Sequence, residues 1–523
     1  MRSKYVAAAM RVSVVSLLLA GSARASDWYV DAVNGSDAHD GQSPQSAWRT
    51  ISHAVSQVPA GSERILIAPG TYNAALGENF PIAPKPGHQL IGLAGAERPV
   101  ITANGAPNSV LLRFESSNAQ PQVFAADTRV EHLELRRATH CVELVAEAGE
   151  VSPTFVDLRI ARMVLTGVSI TGNGGRCEPR FERLFIDVME PTNPSTGIFA
   201  WGDPSTAPVQ LTVLDGFFGN SSGDGVRIYG AVDALLERCT FDSLGGFAIS
   251  GHTFANAPAK LRSVDSSIGF CSGAVSFHNQ QSTLEASFTR CTFAELVQPL
   301  TLNNWSGALQ VTLDSCIVST LGNSIYTTGT VGVSASHSLI SDGDFDGVNG
   351  CFSGDPGFRD AGKGDFRLRW GSPCIDAASA APSGARDVLG VRRDVDGNLD
   401  AQGRTDIGAY EFTPLELVSS GSIGSSLRLD NWGPDAPSVL YWARAGLASP
   451  AATPFGSFEL NWLLARTFHV TSAGAATPSI TQRRIPNQIA LIGQTFSFQA
   501  LTHSSAAPLS RAFSNGVEVS IVP

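Results

Sequence analysis

Residues 236–241 read LERCTF, residues 288–293 read FTRCTF, and residues 313–318 read LDSCIV. Each copy places an apolar or small residue at offsets −3, 0 and +2, with Cys239, Cys291 and Cys316 at position zero. Weaker copies extend the series, and the zero positions are 133, 158, 184, 216, 239, 267, 291, 316 and 338. Steps of 22 to 32 residues, most of them near 25, predict a solenoid in which each repeat forms one coil.

A second periodic element follows each bend. It is an apolar-x-apolar triplet, and the copies are 142–144, 168–170, 198–200, 226–228, 247–249, 275–277 and 300–302. Alternation with period two indicates a strand, whereas a helical solenoid would need apolar spacings of three and four. Two short strands per coil, separated by small and polar residues, predict an all-β fold, a parallel β-helix whose coils stack roughly 4.8 Å apart.

Composition narrows the class of function. The chain has 523 residues, 52 glycines, 16% charged residues and a net charge of −11. These values suit a turn-rich β protein and argue against a nucleic-acid partner. A polyanionic substrate would need a local basic groove or bridging cations.

The first 25 residues have the pattern of a secretory signal peptide. Arg2, Lys4 and Arg11 are basic, residues 12–20 are apolar, and residues 23–25 read ARA, a small-x-small cleavage site. The apolar run is too short to span a membrane, and we find no other transmembrane segment. The pattern predicts a secreted or cell-surface protein whose mature chain begins at Ser26.

The sequence divides into four parts: a signal peptide at 1–25, a parallel β-helix with an N-terminal cap at 26–340, a loop-rich closing module at 341–413, and a small antiparallel β domain at 414–523. Trp48, Ile51, Val55 and Val58 sit at helical spacing and predict an amphipathic cap helix over the exposed end of the solenoid.

The eight cysteines are compatible with an exported protein. We expect the three at position zero to be buried thiols. Cys351 and Cys374 flank a loop-rich segment and are the expected disulfide pair.

Short motifs at both ends carry a family resemblance. The first set is WYVD at 28–31, NGSD at 34–37, WRTI at 48–51 and APGTY at 68–72, and the second is GSPCID at 371–376, DVDGN at 394–398 and DIGAYE at 406–411. The chain resembles bacterial exported β-helix proteins of the pectin-lyase-like superfamily, which carry an N-terminal domain of unknown function and a C-terminal variable-anchor-type closing module. The resemblance implies a right-handed helix and, if the chain is an enzyme, a polysaccharide lyase or glycoside hydrolase. It does not fix the activity, because fold does not determine function.

Strand parity suggests a substrate-binding surface. If residues 226 and 228 point inward, their odd-numbered neighbours point outward, and the same holds on the adjacent coils. The substrate-binding candidates are Phe199, Trp201, Arg227, Tyr229, His278 and Asn303. Aromatic faces stack on sugar rings, and Arg, His and Asn form directional hydrogen bonds. In the alternative interpretation the aromatics pack beneath inserted loops near 187–197 and 202–210.

The bends supply the catalytic candidates. The position before zero is often charged, and a lyase or hydrolase needs acids, bases or an arginine near the reacting sugar. The weak catalytic candidates are Asp215, Asp224, Arg238 and Arg290. The alternative is that charges of opposite sign on neighbouring coils form solvated ion ladders of little energetic value.

Two acidic loops are candidate Ca²⁺ sites. Their oxygen-bearing residues are Asp342, Asp344 and Asp346 in the first loop, and Asp394, Asp396, Asn398 and Asp400 in the second. Alternate-residue oxygens beside a glycine suit a hard cation, although the same pattern is typical of ordinary Asx turns.

Two functional hypotheses follow. In the first, the exported chain recognises an extracellular polysaccharide along the side of the helix and also cleaves it if catalysis is present. In the second, it is a non-catalytic cell-surface, adhesion or spacer protein. In both hypotheses the C-terminal domain is a candidate contact to a cell-envelope component.

Overall fold

The computed structural model describes residues 26–95, 97–187, 195–320, 322–400 and 402–418. Beyond these it describes 422, 425–433, 437–444, 447, 451–453, 456–460, 465–472, 478–485, 491–503 and 511–522. The expected signal peptide lies outside the described residues. Within them, the chain is a parallel β-solenoid followed by small antiparallel sheets, which confirms the predicted fold class. No helix in the described part is long and apolar enough to span a membrane.

Each typical coil contains three strands rather than the predicted two. Sheet 1 contains the triplet strands, sheet 2 the strands before each bend, and sheet 3 the strands after it. The apolar offsets −3 and +2 fall on different sheets, because Val130 lies in the sheet 2 strand Arg129–Glu131 and Leu135 in the sheet 3 strand Glu134–Arg136. The odd spacing between offsets −3 and 0 marks the bend, but the sequence pattern was interpreted as one element and not as a strand on each side of that bend.

The strands of each sheet pair in parallel from coil to coil. Sheet 1 contains Val110–Ser116, His140–Ala146, Thr166–Gly172, Thr196–Gly202, Val226–Gly230, Phe247–Thr253, the first parts of Gly273–Thr289 and Gln298–Asp314, and Ile325–Thr328. Sheet 2 contains Asp27–Val30, Arg64–Ile67, Gln89–Gly92, Arg129–Glu131, Thr154–Val156, Arg180–Glu182, Val209–Leu214, Val232–Glu237, Ala259–Val264, the second parts of the two long strands, and Val331–Ser336. Sheet 3 contains Thr71–Tyr72, Val100–Thr102, Glu134–Arg136, Arg159–Ala161, Phe185–Asp187, Phe217–Gly219, Thr240–Asp242, Ser267–Gly269, Thr292–Ala294, Ile317–Ser319 and Leu339–Ile340. Three two-residue strands, Val123–Phe124, Glu150–Val151 and Arg176–Cys177, line the corner between sheets 1 and 2 on the early coils.

The bend between sheets 2 and 3 is formed by one residue in the left-handed backbone region. The bend residues are His132, Asp157, Arg183, Asp215, Arg238, Asp265, Arg290, Ser315 and His337, with φ between +46° and +57°. This conformation is costly for a residue with a Cβ. Their backbone N–H groups donate to the next coil, as from His132 to the Val156 carbonyl. Hydrogen bonds between stacked coils therefore stabilise this unfavourable backbone conformation. On one coil the predicted bend position was wrong by one residue, because Asp265 and not Ser266 forms the bend.

Apolar side chains fill the space between the three sheets. Phe155 stacks on Phe181 with ring centroids 4.7 Å apart, and Phe218 stacks on Phe241 at 4.8 Å. Cys239, Cys291 and Cys316 are fully buried in the same core, as predicted. All eight cysteines fall among the described residues and are free thiols, so the expected Cys351–Cys374 disulfide was wrong.

The N-terminal end of the solenoid is covered by the predicted cap. A short 3-10 helix spans Pro44–Ser46, and the α-helix spans Ile51–Gln57, with the Thr50 hydroxyl accepting a hydrogen bond from the His53 N–H. Trp48, Ile51, Val55 and Val58 are all buried. The tryptophan stacks on Trp28 at 5.3 Å, which seals the apolar end of the first coils.

Residues 341–413 pack against the last coils. They contain the hairpin strands Phe358–Asp360 and Asp365–Leu368, a 3-10 turn at Ala361–Lys363, and mostly loop. Arg393, which is buried, reaches back to Asp265 at 2.6 Å. The remaining strands form the antiparallel C-terminal part, and they are Leu415–Leu417, Ser426–Asn431, Pro437–Ala443, Ala451–Thr453, Gly456–Phe458, Arg466–Ser472, Ser479–Arg484, Thr495–His503, Arg511–Phe513 and Val517–Ser520.

Candidate functional site

Two rows of outward side chains run across five consecutive coils of sheet 1. Row A contains Phe199, Arg227, Ser250, Ser276 and Thr301, and row B contains Trp201, Tyr229, His252, His278 and Asn303. The alternate residues of the same strands, such as Ile198 and Ala200, are fully buried in the core. All six substrate-binding candidates from the sequence therefore lie in these two rows.

Row B is held together by ring stacking. The ring of Tyr229 lies 5.8 Å from that of His252, and the rings of His252 and His278 are 4.6 Å apart and nearly parallel, at 8°. Because these rings face one another along the solenoid, their edges rather than their faces point outward. This differs from the expected array of open aromatic faces.

Aromatic surface is available at Trp305, which is 64% exposed and meets His278 edge-on at 6.3 Å. Tyr229 is 38% exposed and also contacts Phe254, whereas Phe199 and Trp201 are half-buried. The packing alternative placed two inserted loops over these residues, and the first of them includes 188–194, which lie outside the described residues.

Row A is organised around a buried carboxylate. Asp224, in the turn before Val226–Gly230, accepts hydrogen bonds at Oδ2 from Nε and Nη2 of Arg227, at 2.9 and 2.8 Å, and from the Ser250 hydroxyl at 2.6 Å. Its Oδ1 accepts from the Phe247 N–H at 2.9 Å. Two donors on one oxygen fix the guanidinium in place, and the remaining N–H groups of Arg227 are left for other partners.

The imidazoles of row B are poised to be neutral at pH 7. Burial, together with the nearby charges of His278 and Arg227, lowers the pKa of His252 below its ordinary value. Burial also lowers the pKa of His278. The Ser276 hydroxyl and His278 Nε2 are 3.2 Å apart, so one hydrogen-bonds to the other. The row therefore offers hydrogen-bond donors and acceptors without added charge.

Sequence reasoning missed His252. The apolar triplet was placed at 247–249, but the register aligns Val226 with Ile249 and Ile228 with Gly251. Gly251 occupies an inward position where a Cβ would lie 2.8 Å from Phe277, so no apolar side chain marks it. The repeat spacing could have identified His252, because it precedes His278 by one 26-residue repeat. The two residues pair directly in the structure.

The catalytic candidates lie in two different places. Asp224 adjoins rows A and B, whereas Asp215, Arg238 and Arg290 are at the bends between sheets 2 and 3. Arg238 Nε donates to Asp215 Oδ1 at 2.6 Å, and Arg290 is buried against Asp265 at 2.8 Å. Both pairs join neighbouring coils, as the ion-ladder alternative predicts, but the Arg290–Asp265 pair is buried and not solvated.

The first rung of this ladder illustrates the electrostatics. Asp157 contacts His132 Nδ1 and Arg98 Nη2, each at 2.7 Å. Burial would raise the pKa of Asp157, but the hydrogen bonds from Arg98 and His132 outweigh it and lower that pKa below its usual value. The carboxylate is therefore engaged in stacking one coil on the next.

In the first acidic loop, carboxylates accept hydrogen bonds from backbone N–H groups. Asp342 accepts from Ser324 and Asp344, and Asp346 accepts from Ser353. Burial and the charge of Asp342 raise the pKa of Asp344.

In the second acidic loop, Asp396 and Asn398 both accept from the Asp400 N–H, and Asp394 contacts Arg392 at 2.9 Å. Among the described residues, no group of three or more His, Cys, Asp or Glu side chains is arranged to hold a metal ion. Ca²⁺ binding at either loop stays a prediction.

Similarity to known proteins is limited. A family described as a protein of unknown function (DUF1565) matches residues 33–106, which overlap the N-terminal motifs. No curated protein matches the chain.

Among solved structures, GH136 lacto-N-biosidase from Eubacterium ramulus is 11% identical over 59% of this chain and 68% of its own, with a TM-score of 0.34. The enzymatically active domain of tailspike protein 2 from bacteriophage CBA120 is 11% identical over 87% of this chain and 68% of its own, with a TM-score of 0.24. Similarity at this level carries no argument about the site.

Proposed function

We propose that this protein recognises a polysaccharide that lies along sheet 1 and crosses successive coils. The observation that carries the proposal is the alignment of row B with Phe199 and Arg227 of row A, in which aromatic, imidazole, amide and guanidinium groups follow one another from coil to coil. Sugar rings have apolar faces and many hydroxyl groups, so they suit a surface that combines rings with directional hydrogen-bond partners.

The dimensions suit a chain ligand better than a small molecule. Five coils at roughly 4.8 Å per step give a row about 19 Å long. Trp305 offers an open ring at one end, and the Arg227 N–H groups lie further along the same sheet. A polymer that repeats along its length could meet several of these groups at once.

The proposal includes export. The basic, apolar and small-x-small segments of residues 1–25 support an extracellular setting, where polysaccharides are abundant. It also covers cleavage, for which the acid–base groups at the two rows are the imidazoles of His252 and His278 in row B and the buried Asp224 beside row A. A hydrolase would create reducing ends, and a lyase would create an unsaturated uronide that absorbs in the ultraviolet.

The proposal is tested with the full chain on a glycan array and in a depolymerisation assay, with and without Ca²⁺. The variant pair Trp201→Ala and Tyr229→Ala, combined in one protein, should lower affinity at least tenfold, because both residues lie in row B. Phe185→Ala and Phe217→Ala, combined, form the matched control, since these two rings stack on sheet 3 at 4.7 Å. Equal affinity of both double variants and the wild type would remove sheet 1 as the binding surface.

A second candidate is the non-catalytic surface or spacer protein. The specific observation in its favour is the run of small hydroxyl residues in row A, where Ser250 and Ser276 are each 4% exposed and so offer little surface. If the full chain neither binds nor cleaves any glycan in the two assays, the result would favour this alternative.

A further inference from the structure

The two rows contain very little charge. The segments that form and flank them are 195–204, 220–230, 245–256, 270–283 and 295–308, and Arg227 is the one Lys or Arg that they contain. Their acidic residues are Asp203, Asp224 and Glu295. A surface that binds uronates or sulfates is normally rich in arginine and lysine, because each acidic group of the ligand needs a counter-charge.

The single cation is already neutralised within the protein. Arg227 donates twice to Asp224 Oδ2, and the side chain of this aspartate is 7% exposed. The ion pair has no net charge, yet the guanidinium still has N–H groups to donate to a hydroxyl. The remaining members of the rows between Phe199 and Asn303 are aromatic rings, imidazoles, hydroxyls and an amide.

We infer that rows A and B accept an uncharged polysaccharide, one built from neutral hexoses or pentoses, and disfavour polyuronates and sulfated glycans. This inference rests on the proposed function and names the ligand class of the same surface. Asp203 and Glu295 at its edges, together with the net charge of −11, oppose a polyanion. A polyuronate would require bridging cations.

The groups that face the two histidines set the pH range of this preference. His252 lies between Tyr229 and His278, with Arg227 and Asp224 close enough to affect it, and His278 contacts Ser276 and Trp305. Above pH 7 both imidazoles are neutral. Protonation in acid would add positive charge to row B, so discrimination against polyanions should weaken there.

The test is affinity electrophoresis of the full chain at pH 7.5 in gels that contain β-glucan, galactomannan, xyloglucan, polygalacturonate, alginate or heparin. We expect retardation by at least one neutral polymer, with an affinity that changes less than twofold when NaCl is raised tenfold. Retardation by the acidic polymers alone, lost in Trp305→Ala, would leave the proposed function standing and overturn this inference. Retardation by no polymer would overturn both.

A charge-insertion pair provides an independent check. Asn303→Lys adds an unpaired cation to row B, and Asn303→Gln is the matched neutral control. We expect the lysine variant, but not the glutamine variant, to gain at least fivefold in affinity for polygalacturonate, and high salt should abolish the gain. An unchanged response of the lysine variant would mean that charge does not govern this surface and would overturn the inference.

Discussion

Asp265 is a bend residue whose carboxylate pairs with two buried arginines. It is buried and contacts Nε and Nη2 of both Arg290 and Arg393, at 2.6 to 3.0 Å. The second arginine comes from the closing module and also lies 3.4 Å from Glu411. One carboxylate therefore joins the stacking of two coils to the docking of a segment 128 residues away.

We predict that Asp265→Asn lowers the free energy of unfolding by about 3–5 kcal/mol, because it leaves two buried guanidinium groups without their main counter-charge. Asp215→Asn is the matched control. Its partner Arg238 is on the same column, but the Asp215 side chain is 45% exposed, so its loss should be about 0–1 kcal/mol. Chemical denaturation of both variants measures the difference, and equal losses would contradict this account of the bends.

A second residue-scale prediction concerns two phenylalanines of one coil. Phe181 is fully buried and stacks on Phe155 at 4.7 Å, whereas Phe185 is half-buried and stacks on Phe217 at the same distance. Phe181→Ala should cost about 3–5 kcal/mol because it opens a cavity in the core. Phe185→Ala should cost less than half as much, by the same denaturation assay. A larger loss at Phe185 would mean that the inward and outward faces are misassigned.

At the scale of elements, the closing module contains carboxyl groups with unusual titration. Burial and the charges of Asp396 and Asp400 raise the pKa of Asp376 to about 7, although the N–H groups of Asn398 and Arg404 donate to it. Burial also raises the pKa of Asp406, which accepts from the Asp376 N–H at 2.7 Å. The GSPCID motif therefore places an acid where neighbouring acids oppose its ionisation.

The direction in which stability changes with pH follows from the number of protons that the folded and unfolded states bind. Between the unfolded value near 4 and about pH 7, the folded state holds a proton on Asp376 that the unfolded state has lost, so the stabilisation falls as pH rises. Buried His88 and half-buried His140 have lowered pKa values and act in the opposite direction. The pH dependence of wild-type stability therefore contains the contributions of the aspartate and of the histidines. The difference in stability between the wild type and an Asp376 variant isolates the contribution of Asp376.

We predict that Asp376→Asn gains stability relative to the wild type as pH rises from 5 to 8, by on the order of 3 kcal/mol. Denaturation of both proteins at several pH values measures this change. Asp355→Asn, at a side chain that is 73% exposed, should show no such trend. A pH-independent difference between Asp376→Asn and the wild type would contradict the raised pKa.

Elements also show where sequence reasoning stops. The spacing of zero positions predicted the coils, and the apolar spacing of Ile51 and Val55 predicted the cap helix. The extra sheet was not predicted, because its strands are only two or three residues long and show little alternation of their own. The predicted alignment of one coil with the next was wrong at Ser267 and at Phe247. Polar residues or glycine occupy inward positions there, so the apolar pattern does not mark them.

At the scale of the whole molecule, repeat spacing and strand parity predict which side chains share a face. Phe199, Arg227 and Asn303 are grouped on one face by this spacing alone. It does not reveal ring-to-ring packing, so the edge-outward arrangement of Tyr229, His252 and His278 was unforeseen. Contacts between distant segments, such as Arg393 with Asp265, leave no periodic signal.

The central claim is that a polysaccharide covers rows A and B, and hydroxyl-radical footprinting of side chains tests it most directly. The full chain would be oxidised with and without saturating β-glucan, galactomannan and xyloglucan in turn. The account predicts that oxidation of Tyr229 and Trp305 falls at least threefold with one of these polymers, while Phe270, 36% exposed and just beyond the sheet 3 strand Ser267–Gly269, is unchanged. Unchanged oxidation of Tyr229 and Trp305 with all three polymers, or protection confined to Phe270, would contradict it.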